Sequence, residues 1–349
     1  MANVLTRKWT QLFLAVLVLV FPVLASAQMT FKSIVVFGTS LSDPGNAFTL
    51  LAHPIAGVDL DSTDSQNTPP YDTLDEFLVP SAPYARGGHH FSNGATWIER
   101  FAQGSGLAAD VGPAFQNHNG LARNYAVGGA RATDYQDRVN LPQQLQAYLA
   151  DVGQNASPDA LYVIEMGGND LPDALDTYFT VFLSTGSQAQ AEAAANAVVA
   201  GALNGIAQSM QTLYSLGARK FLVLNAPRID LTPAVRSLGS GAIAVAGSLV
   251  DGFNQGLVQN VLSSSALGGL PGIQIAQMDI SDRSGAIIES PASFGLTDVT
   301  DPCVTPNTPP YTCQQPDDYF FWDGIHPTKV VHGMIAQLAA DTLAAYPAP

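Results

Sequence analysis

Two short segments far apart in the chain carry side chains that could act together as a nucleophile and its base. Ser40 follows Gly38 and Thr39 directly after a short apolar run, so its hydroxyl is predicted to lie on a turn from strand to helix. His326 comes three residues after Asp323. A carboxylate at that spacing can accept the ring Nδ1–H and leave Nε2 free to take a proton from a serine. Such a pair activates a hydroxyl for attack on a carbonyl carbon.

Each of these segments also has an ordinary structural interpretation. A serine after a strand commonly caps a helix or stabilises a turn. The G-x-S-x-G pattern of α/β-hydrolases is absent, because its last position is Ser42. Pro327 is typical of the first turn of a helix, so His326 could equally cap the last helix. Either segment alone therefore leaves the structural and the catalytic interpretations open.

Two further segments contain groups that could stabilise negative charge on a reacting oxygen. Gly128 and Gly129 are adjacent, and Asn169 follows a second pair of glycines. Glycine lets a backbone N–H approach a ligand closely, and an asparagine amide donates hydrogen bonds without carrying charge. Both patterns also occur in ordinary turns, so the prediction depends on their combination with Ser40 and His326.

Alternating strand and helix patterns separate these segments. Four β-rich runs are predicted to be strands: Ser33–Phe37, 160–165, Lys220–Leu224 and 273–278. Apolar residues recur at helical steps from Val199 to Leu213, with Gly217 as a helix stop, and a last helix is predicted over 328–345. Strands separated by helices predict a parallel sheet covered on both faces, with reactive groups at the carboxyl ends of its strands.

One domain over residues 28–349 is predicted, with long surface loops near 54–94 and 295–318 that are rich in Pro, Asp and other turn residues. Cys303 and Cys313 lie ten positions apart in the second loop. A disulfide between them is expected outside the cytosol. No other cysteine or histidine cluster completes a metal site, so neither a metal nor a cofactor is expected.

The first 27 residues resemble an export signal. Arg7 and Lys8 precede an apolar run over 12–24, and small residues lead up to a predicted cleavage after Ala27, before Gln28. A membrane anchor is the alternative, but this run has 13 residues, whereas a spanning helix needs about 20. The protein is therefore predicted to be secreted or periplasmic, with no integral membrane span after cleavage.

Charge and composition exclude several classes of partner and structure. The net charge of −15 repels nucleic acid and anionic lipid. Apolar residues make up 47% of the chain and charged residues 12%, which is typical of a large buried core. Disorder throughout the chain is thereby excluded.

Taken together, the segments resemble the GDSL esterase/lipase family of the SGNH hydrolase superfamily. The matching blocks contain, in the family's order, Ser40, Gly128, Asn169, Asp323 and His326. The stretch 91–97 is also similar to a segment common in larger members. The resemblance covers nearly the whole mature chain and is strongest to exported bacterial lipase, lysophospholipase and hemolysin-like members.

The resemblance implies a flavodoxin-like three-layer α/β/α sandwich with a central parallel sheet of about five strands. It implies that Ser40 is the nucleophile, that His326 is its base and that Asp323 orients the base. The family's usual aspartate between glycine and serine is Thr39 here. Since Thr39 neither attacks nor abstracts a proton in this scheme, activity is expected to survive the change.

The implied oxyanion hole combines the N–H groups of Ser40 and Gly128 with the side-chain amide of Asn169, and Gly129 is the alternative backbone donor. The implied reaction is hydrolysis of acyl esters, including lipids, through an acyl-serine intermediate. Phospholipase, lysophospholipase, acyltransferase and carbohydrate deacetylase activities are alternatives within the same chemistry. A catalytically inactive binding protein on the same scaffold is the alternative from another class.

Overall fold

A computed structural model describes six parts of the chain: residues 29–51, 85, 88–116, 121–136, 138–304 and 312–346. The predicted export signal and most of the 54–94 loop lie outside them. Nothing in the described parts combines the length and the apolarity that a membrane-spanning helix requires.

Four parallel strands form the central sheet in the order β1-β2-β3-β4. They are β1 (Ser33–Phe37), β2 (Ala160–Ile164), β3 (Lys220–Leu224) and β4 (Gln274–Met278). Ser33 pairs with Ala160 at one end of the first pair, and Leu224 pairs with Met278 at the end of the last. The predicted parallel sheet is therefore confirmed, with strand bounds that differ from the prediction by one residue at most.

The sheet has four regular strands where about five were expected. Beside β1, the Val36 N–H donates to Arg123 O at 3.0 Å, and the Tyr125 N–H donates to Val36 O at 2.8 Å, as in a parallel ladder. Only isolated bridges form, from Asn124 to Val36 on one side and to Pro113 on the other. The Ala126 N–H donates to the Asn124 side chain at 3.0 Å, and this local bond competes with regular strand pairing. The segment is therefore an irregular strand between β1 and residues 112–114.

Nine α-helices lie within the described ranges: α1 (Asn46–Leu51), α2 (Trp97–Gly104), α3 (Leu141–Asp151), α4 (Asp170–Thr185), α5 (Gln188–Ser215), α6 (Pro233–Ser237), α7 (Ser240–Gly256), α8 (Ile280–Glu289) and α9 (Lys329–Ala344). The apolar stripe from Val199 to Leu213 is a buried face of α5. The predicted last helix corresponds to α9.

Alternate side chains of β1 enter two separate cores, because successive residues of a strand point to opposite faces. Val35 and Phe37 pack in the core that contains α3, α4, α5 and α7. Ile34 and Val36 pack in the core that contains α2 and α9. The sheet is thus covered on both faces, as the three-layer prediction requires.

The 295–318 segment is not a loop throughout. It contains β5 (Asp298–Pro302), which pairs in parallel with β6 (Tyr319–Phe321). The disulfide between Cys303 and Cys313 follows β5 directly, and the Cys303 N–H donates to Phe321 O at 3.1 Å. The sequence signal for this strand was weak because β5 is rich in aspartate and proline and is only partly buried.

Candidate active site

Ser40 and His326 are 286 positions apart in the chain and meet in the structure. Ser40 lies just beyond the carboxyl end of β1, and its Oγ is 2.8 Å from His326 Nε2. His326 lies in the turn between β6 and α9, and its Nδ1 is 2.7 Å from Asp323 Oδ2. The exposed fractions are 8% for Ser40, 7% for His326 and 0% for Asp323. These three side chains form a continuous, largely desolvated hydrogen-bonded chain.

The Asp323 carboxylate is held in position by the turn that carries His326. Its Oδ1 accepts the N–H of Ile325 at 2.7 Å and that of His326 at 2.6 Å. This leaves Oδ2 directed at the imidazole ring. On another side, the ring of Phe91 packs against that of His326, with centroids 5.2 Å apart. Backbone bonds and packing together fix the orientation of the imidazole before any substrate binds.

Residues of the 88–94 segment also hold the chain that follows His326. The Ser92 hydroxyl donates to Pro327 O at 2.8 Å, and the Lys329 N–H donates to Asn93 Oδ1 at 2.7 Å. Ser92 and Asn93 are buried. The prediction of a surface loop is therefore wrong for this part, because its polar side chains bind buried backbone groups of the turn between β6 and α9.

Asp43 links the Ser40 loop to the segment that contains Gly128. One of its carboxylate oxygens accepts the N–H groups of Gly45 at 2.8 Å and Asn46 at 2.6 Å. The other accepts the N–H of Gly128 at 2.8 Å. Complete burial raises the pKa of Asp43 to about 6, although these bonds to the carboxylate oppose the shift.

The expectation that Gly128 supplies an oxyanion donor is not met in this structure, since its N–H is bonded to Asp43. Gly128 has a packing role, because an added Cβ would overlap the Phe91 ring. Gly129 follows with a φ of 77° in a turn closed by the Ala130 N–H and Val127 O. The Gly129 N–H donates no hydrogen bond within the described residues, and this geometry favours the alternative that the sequence left open.

Asn169 lies just before α4, beyond the carboxyl end of β2, and lines the same cavity as Ser40. Its Nδ2 donates to Ala130 O at 2.9 Å, which holds the side chain against the glycine turn. A primary amide carries two hydrogens. The second hydrogen therefore stays available to a ligand in the cavity.

Glu165 is a site residue that sequence reasoning missed. The Thr39 N–H donates to Glu165 Oε2 at 2.8 Å, and the Thr39 hydroxyl donates to Oε1 at 2.9 Å. The Ser42 hydroxyl also bonds to Glu165. The same hydroxyl accepts a hydrogen bond from Trp97 Nε1–H at 3.0 Å. The sequence contains one indication of this role, since Glu165 is a carboxylate directly after an apolar strand.

The contact with Glu165 explains how the chain accommodates threonine where the family has aspartate. An aspartate at position 39 would place a second carboxylate beside Glu165, whereas the Thr39 hydroxyl donates a hydrogen bond to it. Burial raises the pKa of Glu165 to about 7. Two bonds from Thr39 thus fasten the residue before Ser40 to the end of β2.

The described ranges contain no cluster of three His, Cys, Asp or Glu side chains that could hold a metal ion.

Comparison with known proteins finds similarity to one family over most of the chain. The model of the GDSL-like Lipase/Acylhydrolase family matches residues 34–339. An Arabidopsis thaliana GDSL esterase/lipase is 26% identical over 351 residues, covering 89% of this chain and 83% of the relative. A second protein of that name and organism is 26% identical, with 88% of each chain covered. A phosphatidylcholine-sterol acyltransferase of Aeromonas hydrophila is 24% identical over 85% of this chain and 72% of its own length.

Proposed function

The chain belongs to the GDSL-like lipase/acylhydrolase family and is an ester hydrolase, and from this premise we propose that it cleaves acyl esters through an acyl-serine intermediate on Ser40. The observation that carries the proposal is the hydrogen-bonded chain from Ser40 through His326 to Asp323. A serine hydroxyl needs an adjacent base, and the base needs a fixed orientation.

In the first half-reaction, His326 Nε2 takes the proton of Ser40 as Oγ attacks the carbonyl carbon. Asp323 stabilises the imidazolium that forms. The developing oxyanion accepts hydrogen bonds from the Ser40 N–H, the Asn169 amide and the Gly129 N–H. Each preorganised donor is worth about 3 kcal/mol of transition-state stabilisation.

Collapse of the tetrahedral intermediate breaks the ester C–O bond. The alcohol leaves with the proton that His326 returns, and the acyl group stays on Ser40 Oγ. Water then attacks the acyl-serine, with His326 again acting as the base. The cycle ends with a free carboxylic acid and the restored serine hydroxyl.

A Ser40→Ala variant tests this assignment. We expect it to keep the native circular dichroism spectrum, to lose turnover of p-nitrophenyl esters and to escape labelling by a fluorophosphonate probe. Ser248→Ala is the matched control, because Ser248 is exposed on α7, away from the cavity, and its hydroxyl bonds to the Ala244 carbonyl within the helix. Full turnover in Ser40→Ala would refute the role of Ser40. A wild-type protein that neither turns over esters nor reacts with the probe would support the inactive binding protein.

Acyl transfer is the second candidate, because the Aeromonas hydrophila relative is named an acyltransferase. In that reaction an alcohol replaces water in the second step and a new ester is the product. Product analysis with phosphatidylcholine as acyl donor, with and without an added alcohol, separates the two reactions. Free fatty acid alone indicates hydrolysis, whereas a new ester that depends on the alcohol indicates transfer.

We also propose that the protein is exported and that residues 28–349 form one hydrolase domain. The disulfide between Cys303 and Cys313 is compatible with an oxidising compartment. The pattern of basic, apolar and small residues before Gln28 supports cleavage after Ala27. Cell fractionation and N-terminal sequencing of the mature protein test this, and a mature protein that begins at Met1 would contradict it.

A further inference from the structure

An apolar slot opens beside Ser40 and His326, between the carboxyl ends of the strands and two helices. Its walls include Leu41, Ile280, Ser284, Ile288, Phe320 and Ile335. No local pattern of residues indicates this slot, because its walls come from segments far apart in the chain. A substrate whose carbonyl lies at Ser40 would have one of its two arms next to this slot.

One face of α8 forms a wall of the slot. Ile280, Ser284 and Ile288 are spaced four residues apart, so they lie on the same face of the helix. Ser284 is the small residue between two isoleucines. Its hydroxyl donates to the Ile280 carbonyl at 2.7 Å, so its polar atom is already satisfied within the helix. Ser284 thus leaves space in the slot without offering it an unsatisfied polar group.

Other lining residues extend the apolar surface of the slot. Phe320 from β6 and Ile335 from α9 are buried in the same core as Ile280. Ile325, in contrast, is 42% exposed. The slot is therefore lined by buried apolar side chains and reaches the surface at Ile325.

Two polar side chains away from the catalytic groups, Arg228 and Thr232, have partners within the protein. The Arg228 guanidinium bonds to both carboxylate oxygens of Asp230, at 2.8 Å and 2.6 Å. The Thr232 hydroxyl donates to the Ile229 carbonyl at 2.6 Å. A charged or sugar-like group inside the slot would lose its hydration without gaining equivalent bonds. The chemistry of the walls therefore selects an apolar occupant.

The size of the slot limits that occupant. The cavity that contains the slot and the catalytic groups has a volume of about 70 Å³, which is only a few times the volume of one water molecule. A methylene group is about as large as a water molecule. We propose that the slot binds the acyl chain of the substrate, that it accepts short unbranched chains in preference to long ones, and that Ser284 sets this limit. The inference rests on the proposed function, since it concerns the substrate of the Ser40 site.

The test compares kcat/KM for p-nitrophenyl acetate, butyrate, hexanoate, octanoate and laurate. For the wild-type protein we expect a maximum at butyrate or hexanoate and a fall of at least about tenfold by laurate, the scale by which one misfitting methylene can lower kcat/KM. Ser284→Leu fills the slot and should lower kcat/KM for hexanoate at least about tenfold, while acetate changes less than about twofold. Ile288→Ala enlarges the slot and should shift the maximum to a longer chain.

Two matched controls separate the slot from general effects of substitution on α8. Ala286→Leu adds a leucine to the exposed face of the same helix, outside the slot, so the chain-length profile should stay unchanged. Ile287→Ala removes the same atoms as Ile288→Ala from a neighbouring residue buried in the core, and it should lower stability without moving the maximum.

A wild-type maximum at laurate would overturn the proposal without any variant. An unchanged profile in a folded Ser284→Leu would also overturn it, while Ser40-dependent hydrolysis would leave the proposed function intact. If Ser284→Leu does not fold, Ile288→Ala decides, and a maximum that stays in place contradicts the slot. Absence of Ser40-dependent hydrolysis for every ester would instead count against the proposed function itself.

Discussion

The buried carboxylate of Glu165 makes a specific prediction about stability and pH. It is almost fully inaccessible to solvent and accepts hydrogen bonds from the backbone and hydroxyl of Thr39. Burial raises its pKa from the ordinary 4.5 to about 7. Because the folded protein binds this proton more tightly than the unfolded chain does, the stabilisation is complete below pH 4.5 and is lost as the pH rises through 7.

The magnitude follows from the size of the shift. One pKa unit corresponds to about 1.4 kcal/mol, so ionisation of Glu165 costs the folded state about 3 kcal/mol at pH 8. Glu165→Gln removes this cost. Its amide oxygen can accept the Thr39 N–H, and its NH₂ can donate to the Thr39 hydroxyl, which then acts as the acceptor. Relative to the wild-type protein, the free energy of unfolding of Glu165→Gln should therefore rise by about 3 kcal/mol between pH 4 and pH 8.

The assay is urea unfolding of both proteins at each pH unit from 4 to 8, followed by intrinsic fluorescence and extrapolated linearly to water. The carboxyls of Asp43 and Asp170, whose pKa values burial raises to about 6, are present in both proteins and cancel in the difference. Glu289→Gln is the control, because Glu289 is exposed on α8. A difference between Glu165→Gln and wild type that does not vary with pH would refute the reasoning.

Three further predictions follow from other parts of the site. Asp323→Asn should lower kcat for p-nitrophenyl butyrate about 10⁴-fold, because the asparagine amide favours the wrong tautomer of the His326 imidazole. A loss below tenfold would contradict the role of Asp323. Gly128→Ala should destabilise the protein by about 1–3 kcal/mol, because the added methyl group overlaps a neighbouring aromatic ring. Gly168→Ala is the control, because its methyl group would meet no atom within 4 Å. Equal urea midpoints for the two variants would argue against the close packing at Gly128. Replacing Cys303 and Cys313 by alanine should lower the free energy of unfolding by about 3 kcal/mol, because the unfolded chain gains the entropy of a ten-residue loop. An unchanged urea midpoint would contradict this estimate.

The strands of the central sheet could be predicted because their signal is local. Three of them are short apolar runs bounded by glycine or polar residues, and such runs bury both faces in a parallel sheet. The segment beside β1 was less predictable. There the Asn124 side chain bonds to the nearby backbone, and this bond reduces a fifth strand to isolated bridges. β5 was missed for the opposite reason, since its pairing with β6 overrides a local composition typical of loops.

By itself, the sequence determined the family, the alternating architecture and the types of groups at the site. Ser40, Asp323 and His326 could be singled out because the spacing of Asp323 and His326 is local and because the blocks occur in a fixed order. Only the tertiary structure decided which group each polar atom bonds to. The Gly128 N–H meets Asp43 and the Thr39 hydroxyl meets Glu165 because the carboxyl ends of the strands bring distant segments together. Hydrogen bonds and packing across such distances depend on ångström-scale positions, which local patterns of residue type do not encode.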